Sequence, residues 1–407
     1  MTKCRGVLAL LVILMVFSSP VASANTLELW IKDFTPETKE LFEKEIVPRF
    51  EEDHPGVKVN VQFLGEAILQ KLTTAFAAGN PPDLFHHGTA LVPEFAAAGT
   101  CQPLEKFIER EPEFLTNFFE SSLCAGQYQG KTYAIPQTVL SHLLVYRASL
   151  FEEAGLDPNA PPQTWDELRT AARKLTMWDR DLLIRAGFAV PTSGVDTVFF
   201  YTHLLRSLGG SLVGEDGESP GFNNEVGLEA LQIYVDLVQK DRVTMLGQIT
   251  PAPGGPMITE EAVMVVTTPH ILGDIRAYAP HIESDIRVAP LPSRDGTTPA
   301  SILFGVSFYV PTAAKNPELA WDMIKLLTSP KYNLQNAQSQ GAMPSLKSLI
   351  ASDYVQSNPL MKQWFSAVEY SRPNPGYPAY REVRNKLAEH LEMALYGKQV
   401  PEAALKA

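Results

Sequence analysis

Apolar and polar residues alternate over 26–31 and again over 57–63, where Val57, Val59, Val61 and Phe63 share one face. A period of two is the mark of a strand with one buried side. Between these segments Leu41, Phe42, Ile46, Val47 and Phe50 recur at helical spacing, which predicts a helix over 36–52. A second helical pattern runs over 68–78 and stops at Gly79-Asn80-Pro81-Pro82. Proline cannot continue the hydrogen-bond ladder, so the helix must end there. A short strand over 83–86 and a helix over 91–98, closed by Gly99, complete the series. Strand and helix alternating in units of this length predict an α/β fold with a parallel sheet.

From 149 to about 266 helical patterns dominate. Thr164 and Glu167 have the spacing of a capping box and predict a helix over 164–177. Further helices are expected over 196–208, ended by Gly209-Gly210, and over 224–240, where Leu228, Leu231, Tyr234, Leu237 and Val238 form an apolar stripe. A Pro/Gly-rich loop over 251–256 precedes a strand over 263–266. Strand-like segments follow over 286–291 and 302–310, then helices over 317–327 and 378–396. There is no internal repeat.

The N-terminus is an address rather than part of the fold. Lys3 and Arg5 precede an apolar run over 6–17, and Ala22-Ser23-Ala24 is a cleavage signal, so residues 1–24 read as a secretory signal peptide. The run is shorter than the roughly 20 residues of a spanning helix. Removing Lys3 and Arg5 moves the formal charge from −12 to −14, with 46 acidic residues remaining. That balance argues against nucleic acid and anionic lipid as partners. The length remaining points to two domains. Cys101 and Cys124 are left as a pair in an oxidising compartment, which predicts a disulfide contributing about 3 kcal/mol.

Several phrases resemble, in order and spacing, the family of extracellular solute-binding proteins of ABC importers, the maltose/maltodextrin-binding-like family. They are FEKEIVPRFEEDHPG (42–56), LTTAFAAGNPPD (72–83), EFAAAG (94–99), GKTYAIP (130–136) with LVY (144–146), PQTWDEL (162–168), and the closing segment 397–405. The resemblance implies a two-lobe periplasmic-binding-protein fold with three hinge crossings, near Val139, Val288 and Gly305. The N-terminal lobe would hold 25–138 and 288–305, the C-terminal lobe 139–287 and 306–407. A small solute, a sugar or polyol, would bind in the cleft between lobes and pass to the permease subunits of the importer. The protein would be a secreted, periplasmic monomer with no cofactor, no metal and no catalytic residue.

Candidate ligand contacts lie on loops and strand ends facing those crossings. They are Asp33 and Phe34 after the first strand, next to Lys32, and His87 after the third. Gln137, Thr138, Ser141 and His142 bracket the first crossing, Thr268 and His270 follow the strand near 266, and Gly305 and Val306 offer backbone. Arg372 and Tyr377 lie in a late Pro-rich segment. The chain departs from the family pattern at Arg147, where Asn or Asp is usual, and at His87 and His270, where Trp is frequent. Fewer stacking rings imply a short ligand. The rival readings are a secreted hydrolase using Glu260 and Glu261, a metal-capture protein, and a sensor or adhesin on the same scaffold. No G-x-S-x-G elbow, H-E-x-x-H helix or phosphate loop supports the first two.

Overall fold

The computed structural model describes residues 25–214, 219–247, 255–373 and 377–406. The signal peptide expected over 1–24 and most of the loop expected over 251–256 lie outside them. In chain order the strands are β1 (Asn25–Ile31), β2 (Val57–Phe63), β3 (Leu84–Gly88), the hairpin β4 (Gln127–Tyr128) and β5 (Lys131–Thr132), β6 (Ala134–Ser141), β7 (Leu143–Arg147), β8 (Met177–Asp179) and β9 (Leu182–Ala189). β10 (Ala262–Thr267), β11 (Ile286–Ala289), β12 (Ser301–Tyr309), β13 (Met343–Pro344) and β14 (Ser371–Pro373) follow. Two main sheets result. The first has the order β13-β6-β12-β3-β1-β2, with β14 added against β12; the second runs β11-β7-β10-β9-β8.

The expected parallel βαβ start is present, since β1 pairs in parallel with both β2 and β3. The sheet is nevertheless mixed, because β12 enters antiparallel to β3 and β6. Alternation along the strands feeds two cores. Leu27, Leu29, Ile31, Leu84 and Phe308 pack with Phe107 and Trp321 on one face, whose rings stack 5.2 Å apart. Trp30, Phe85 and Tyr309 pack with Ile68, Leu72 and Phe95 on the other. The helical run expected over 36–52 forms as Pro36–Leu41, a π-helical turn Phe42–Ile46, and Val47–Asp53. The strand Leu182–Ala189 has no counterpart among the expected elements; its outward positions Leu182 and Ile184 are apolar, so apolar and polar residues do not alternate along it.

The chain passes between sheets close to two of the three expected places and not at the third. β6 and β7 belong to different sheets and only His142 separates them, three residues beyond Val139. β11 stays in the second sheet, with Val288 opposite Val145. The return therefore lies between Ala289 and Ser301. Gly305 is no crossing: it sits inside β12, opposite Val139. The assignments of 288–305 to the first lobe and 306–407 to the second are corrected accordingly. Residues 301–309 are first-sheet strand, and the helix Pro317–Leu327 packs Trp321 into the first-sheet core. The next departure lies between β13 and the helix Pro359–Tyr370, whose Met361, Trp364 and Val368 pack with Ile271, Ile275 and Val288. Strand pairing, which joins residues far apart in the chain, decides these boundaries.

The expected disulfide is also corrected. Both thiols are free. Cys101 is buried in the core with Trp30 and Phe85, whereas the helix Glu120–Ala125 that carries exposed Cys124 inserts Leu123 on the opposite face of the same sheet. The sheet itself stands between them. Residues 25–407 should therefore show two titratable thiols in denaturant without reductant, and only Cys124 should react quickly in the folded protein.

Gly305 matters for packing. An added Cβ would lie 2.5 Å from the Thr138 carbonyl oxygen, a backbone atom that cannot move aside. Gly305→Ala should destabilise by about 1–3 kcal/mol, read as a lower urea midpoint at unchanged slope.

Candidate functional site

The turn after β1 forms one wall of a cleft of about 1090 Å³. Lys32, Asp33 and Phe34 line it, and Thr35 ends the turn by capping the next helix: its hydroxyl accepts from the Thr38 amide at 3.1 Å, while the Thr38 hydroxyl accepts from the Thr35 amide at 3.2 Å. The Thr35 hydroxyl also donates to the Ser339 carbonyl at 3.2 Å, tying the turn to the cleft-lining C-terminal end of the helix Pro330–Gln340. The facing wall is the helix His270–Tyr278, which follows β10 of the second sheet. Ser357, Asn358 and Met361 close one end. Segments belonging to both sheets thus meet around one space.

The charges inside it are largely paired. Lys32 Nζ lies 2.8 Å from Asp33 Oδ1 and 2.9 Å from Glu66 Oε1. Burial works against ionisation of Asp33, but His86 and the Lys32 ammonium outweigh it and hold the carboxyl below its ordinary value. Arg276 is engaged by Glu283 at 2.7 Å. Phe34 stands edge-on to Phe63 at 5.3 Å, with the Lys39 ammonium 4.5 Å from its ring centre. Burial lowers His270, against the field of Asp274, whose own carboxyl burial raises.

Asp33, Phe34 and His270 are thus brought together in the cleft. The other candidates go elsewhere. His87 is buried, accepts from the Gly88 amide at 2.8 Å and points edge-on at Phe95. Gln137 is the extra residue of a bulge: Thr138 faces Val306 and Pro136 faces Ser307. Pro136 has no N–H for the ladder, which is why the strand bulges there. The Gln137 carbonyl accepts from Asn333 Nδ2 at 2.7 Å. Thr138 and Val306 are paired within the same sheet. Ser141 donates to the Trp364 carbonyl at 3.0 Å. Thr268 only opens the turn into the helix, accepting from the Ile271 amide at 3.3 Å. The Arg372 guanidinium is exposed and donates to the Glu369 and Ser371 carbonyls. Tyr377 is half-buried, edge-on to Tyr380.

His142 sits at the junction of the two sheets, between β6 and β7. Its amide donates to Ser301 Oγ at 3.0 Å, and Ser301 Oγ donates to the His142 carbonyl at 2.8 Å. Its ring lies 4.8 Å from His203 and 5.1 Å from Phe304. Arg147, the departure from the family pattern, is buried and held by Asp285 at 2.5 Å and Glu260 at 3.2 Å. Glu260 also meets His281 at 3.0 Å. It is therefore part of an ion-pair cluster away from the cleft lining. Among the described residues no group of three His, Cys, Asp or Glu is placed to hold a metal ion. Sequence reasoning missed Glu66, Asp274 and Tyr278; the spacing of 270, 274 and 278 on one helix was the signal for the last two.

Residues 35–334 match the family model for bacterial extracellular solute-binding proteins. The chain belongs to this family. A binding protein of Brucella abortus (strain 2308) is 28% identical over 98% of this chain and 95% of its own length. The diacetylchitobiose binding protein of Streptomyces coelicolor is 24% identical over 94% of this chain and 88% of its own. An ABC transporter solute-binding protein from Thermotoga lettingae, solved with α-D-tagatose, superimposes with a TM-score of 0.80 at 28% identity, covering 94% and 97% of the two chains. Like these solute-binding proteins, this chain has the two-lobe α/β architecture. Among the described residues no helix is long and apolar enough to cross a membrane.

The buried histidines should make the fold acid-sensitive. Burial pushes His86 and His142 down to about 4, against about 6.5 in an unfolded chain. Between those values the unfolded chain binds more protons, so stability is fully present above about 6.5 and is lost as pH falls towards 4. The urea midpoint should drop from pH 7 to pH 4.5, and His142→Phe, which keeps a ring there, should show a smaller drop. An unchanged pH slope in that variant would place the titration elsewhere.

Proposed function

We propose that this solute-binding protein is the receptor of an ABC importer and captures a neutral carbohydrate or polyol in the cleft between its lobes. It then delivers the ligand to the permease subunits, working as a secreted, periplasmic monomer without turnover of its own. The observation that carries this reading is the cleft in which the Lys32–Phe34 turn of one lobe faces the His270 helix of the other. A ligand held by both walls stabilises only the closed arrangement, so binding shifts the population towards closure. The relative named for diacetylchitobiose and the tagatose-bound neighbour support a sugar ligand.

The charge pattern favours a neutral ligand. Lys32 is already committed to Asp33 and Glu66, and Arg276 to Glu283. A phosphate ester would have to break these pairs and face the remaining carboxylates. Sugar hydroxyls instead donate to carboxylates while their C–H faces pack on rings such as Phe34.

A thermal-shift screen followed by calorimetry tests this. One or more free sugars or polyols should raise the unfolding temperature, and the phosphate ester of the same sugar should not. Asp33→Ala should weaken binding by about tenfold or more. The recovered ligand should be chemically unchanged; its hydrolysis, or stabilisation by phosphate esters alone, would defeat the reading.

A further inference from the structure

The helix His270–Tyr278 offers the cleft more than one contact. His270, Asp274 and Tyr278 are four residues apart and follow one another along a single face. All three line the cleft. Gly273 lies beside Asp274, and an added Cβ there would meet nothing within 4 Å, so the space next to the stripe is open. The two outer residues are unspent. Asp274 is half-buried and feels only the field of His270 on its own helix, and neither its side chain nor that of Tyr278 makes a hydrogen bond or ion pair among the described residues. Tyr278 is 60% exposed and has no ring neighbour among the described residues, unlike Phe34, which is braced by Phe63. From His270 to Tyr278 the helix rises about 12 Å, more than one pyranose ring can cover.

Resting on the capture reading above, we propose that Asp274 and Tyr278 form an outer subsite and that the ligand is a neutral di- or trisaccharide. The inner unit sits between the Lys32–Phe34 turn and His270. The outer unit stacks its C–H face on Tyr278 and donates a hydroxyl to the Asp274 carboxylate. A monosaccharide occupies the inner position alone and forgoes both outer contacts. Tyr278 thereby sets the preferred ligand length, and the charge of Asp274 excludes an acidic sugar from the outer position.

Calorimetric titration of residues 25–407 with matched mono-, di- and trisaccharides of gluco- and manno-configuration provides the test. The wild-type protein should bind the longer member of its preferred series about tenfold or more tightly than the monosaccharide. Tyr278→Ala should remove about tenfold from the longer ligand and leave the monosaccharide unchanged; Tyr278→Phe should restore it. Asp274→Asn should likewise affect only the longer ligand. The exposure of Tyr278 makes its replacement compatible with folding, which the unchanged monosaccharide affinity checks directly. A monosaccharide bound as tightly as its oligomers, or a longer ligand indifferent to Tyr278→Ala, overturns the outer subsite while leaving capture intact. Failure of every sugar to bind overturns both.

Discussion

Two sheets are stitched together where β6 becomes β7, with a single residue between them. At that point His142 and Ser301 hold each other through a shared pair of hydrogen bonds, and Ser141 is anchored to the Trp364 carbonyl. Around the stitch lies an apolar cluster to which both sheets contribute: Val139, Leu303 and Met343 from the first, Val145, Val265 and Val288 from the second. Such a seam is stiff because buried backbone groups must stay paired. The cleft exists because the walls beyond the seam, the turn after β1 and the helix after β10, come from separate sheets.

The electrostatics of the cleft follow from the same geometry. Lys32 and Glu66 leave consecutive strand ends of the first lobe and meet because β1 and β2 are parallel neighbours in register, Ile31 beside Phe63. Their pairing with Asp33 removes the cation that an anionic guest would need. The buried histidines play a different part. His86, His142 and His203 sit where solvent is excluded, and burial keeps them neutral. His142 and His203 lie ring to ring beside the seam, His86 lies against Phe308 within the first sheet, and His87, which departs from the usual aromatic, is turned towards Phe95 in the first-lobe core.

Much of the architecture was legible because local patterning is strong. The alternation of Val57 to Phe63, the capping pair Thr164 and Glu167, and the proline stop after Ala78 each report a local free-energy preference that the tertiary structure preserves. Legibility failed where an element is half-exposed, as in Leu182–Ala189, or where a feature joins distant residues, as in the pairing of β11 with β7. The site was legible in part. Asp33 and Phe34 follow a well-defined strand end and His270 a strand-to-helix turn, so their location could be read. Gln137, Thr138 and Val306 looked equally exposed to a cleft, but a bulge buries the first two, and Val306 is a half-buried residue paired with Thr138 inside the sheet.

The amino-acid sequence alone determined most of the element types, the alternating α/β plan and the family, because periodicity, caps and turn residues act over a few positions. The tertiary structure decided which strand joins which sheet, that Cys101 and Cys124 lie on opposite sides of one sheet, and that Asp274 and Tyr278 share a wall with His270 in the cleft. Those outcomes depend on contacts between residues separated by up to hundreds of positions. Their free energy comes from burial and pairing that exist only once the chain has closed on itself.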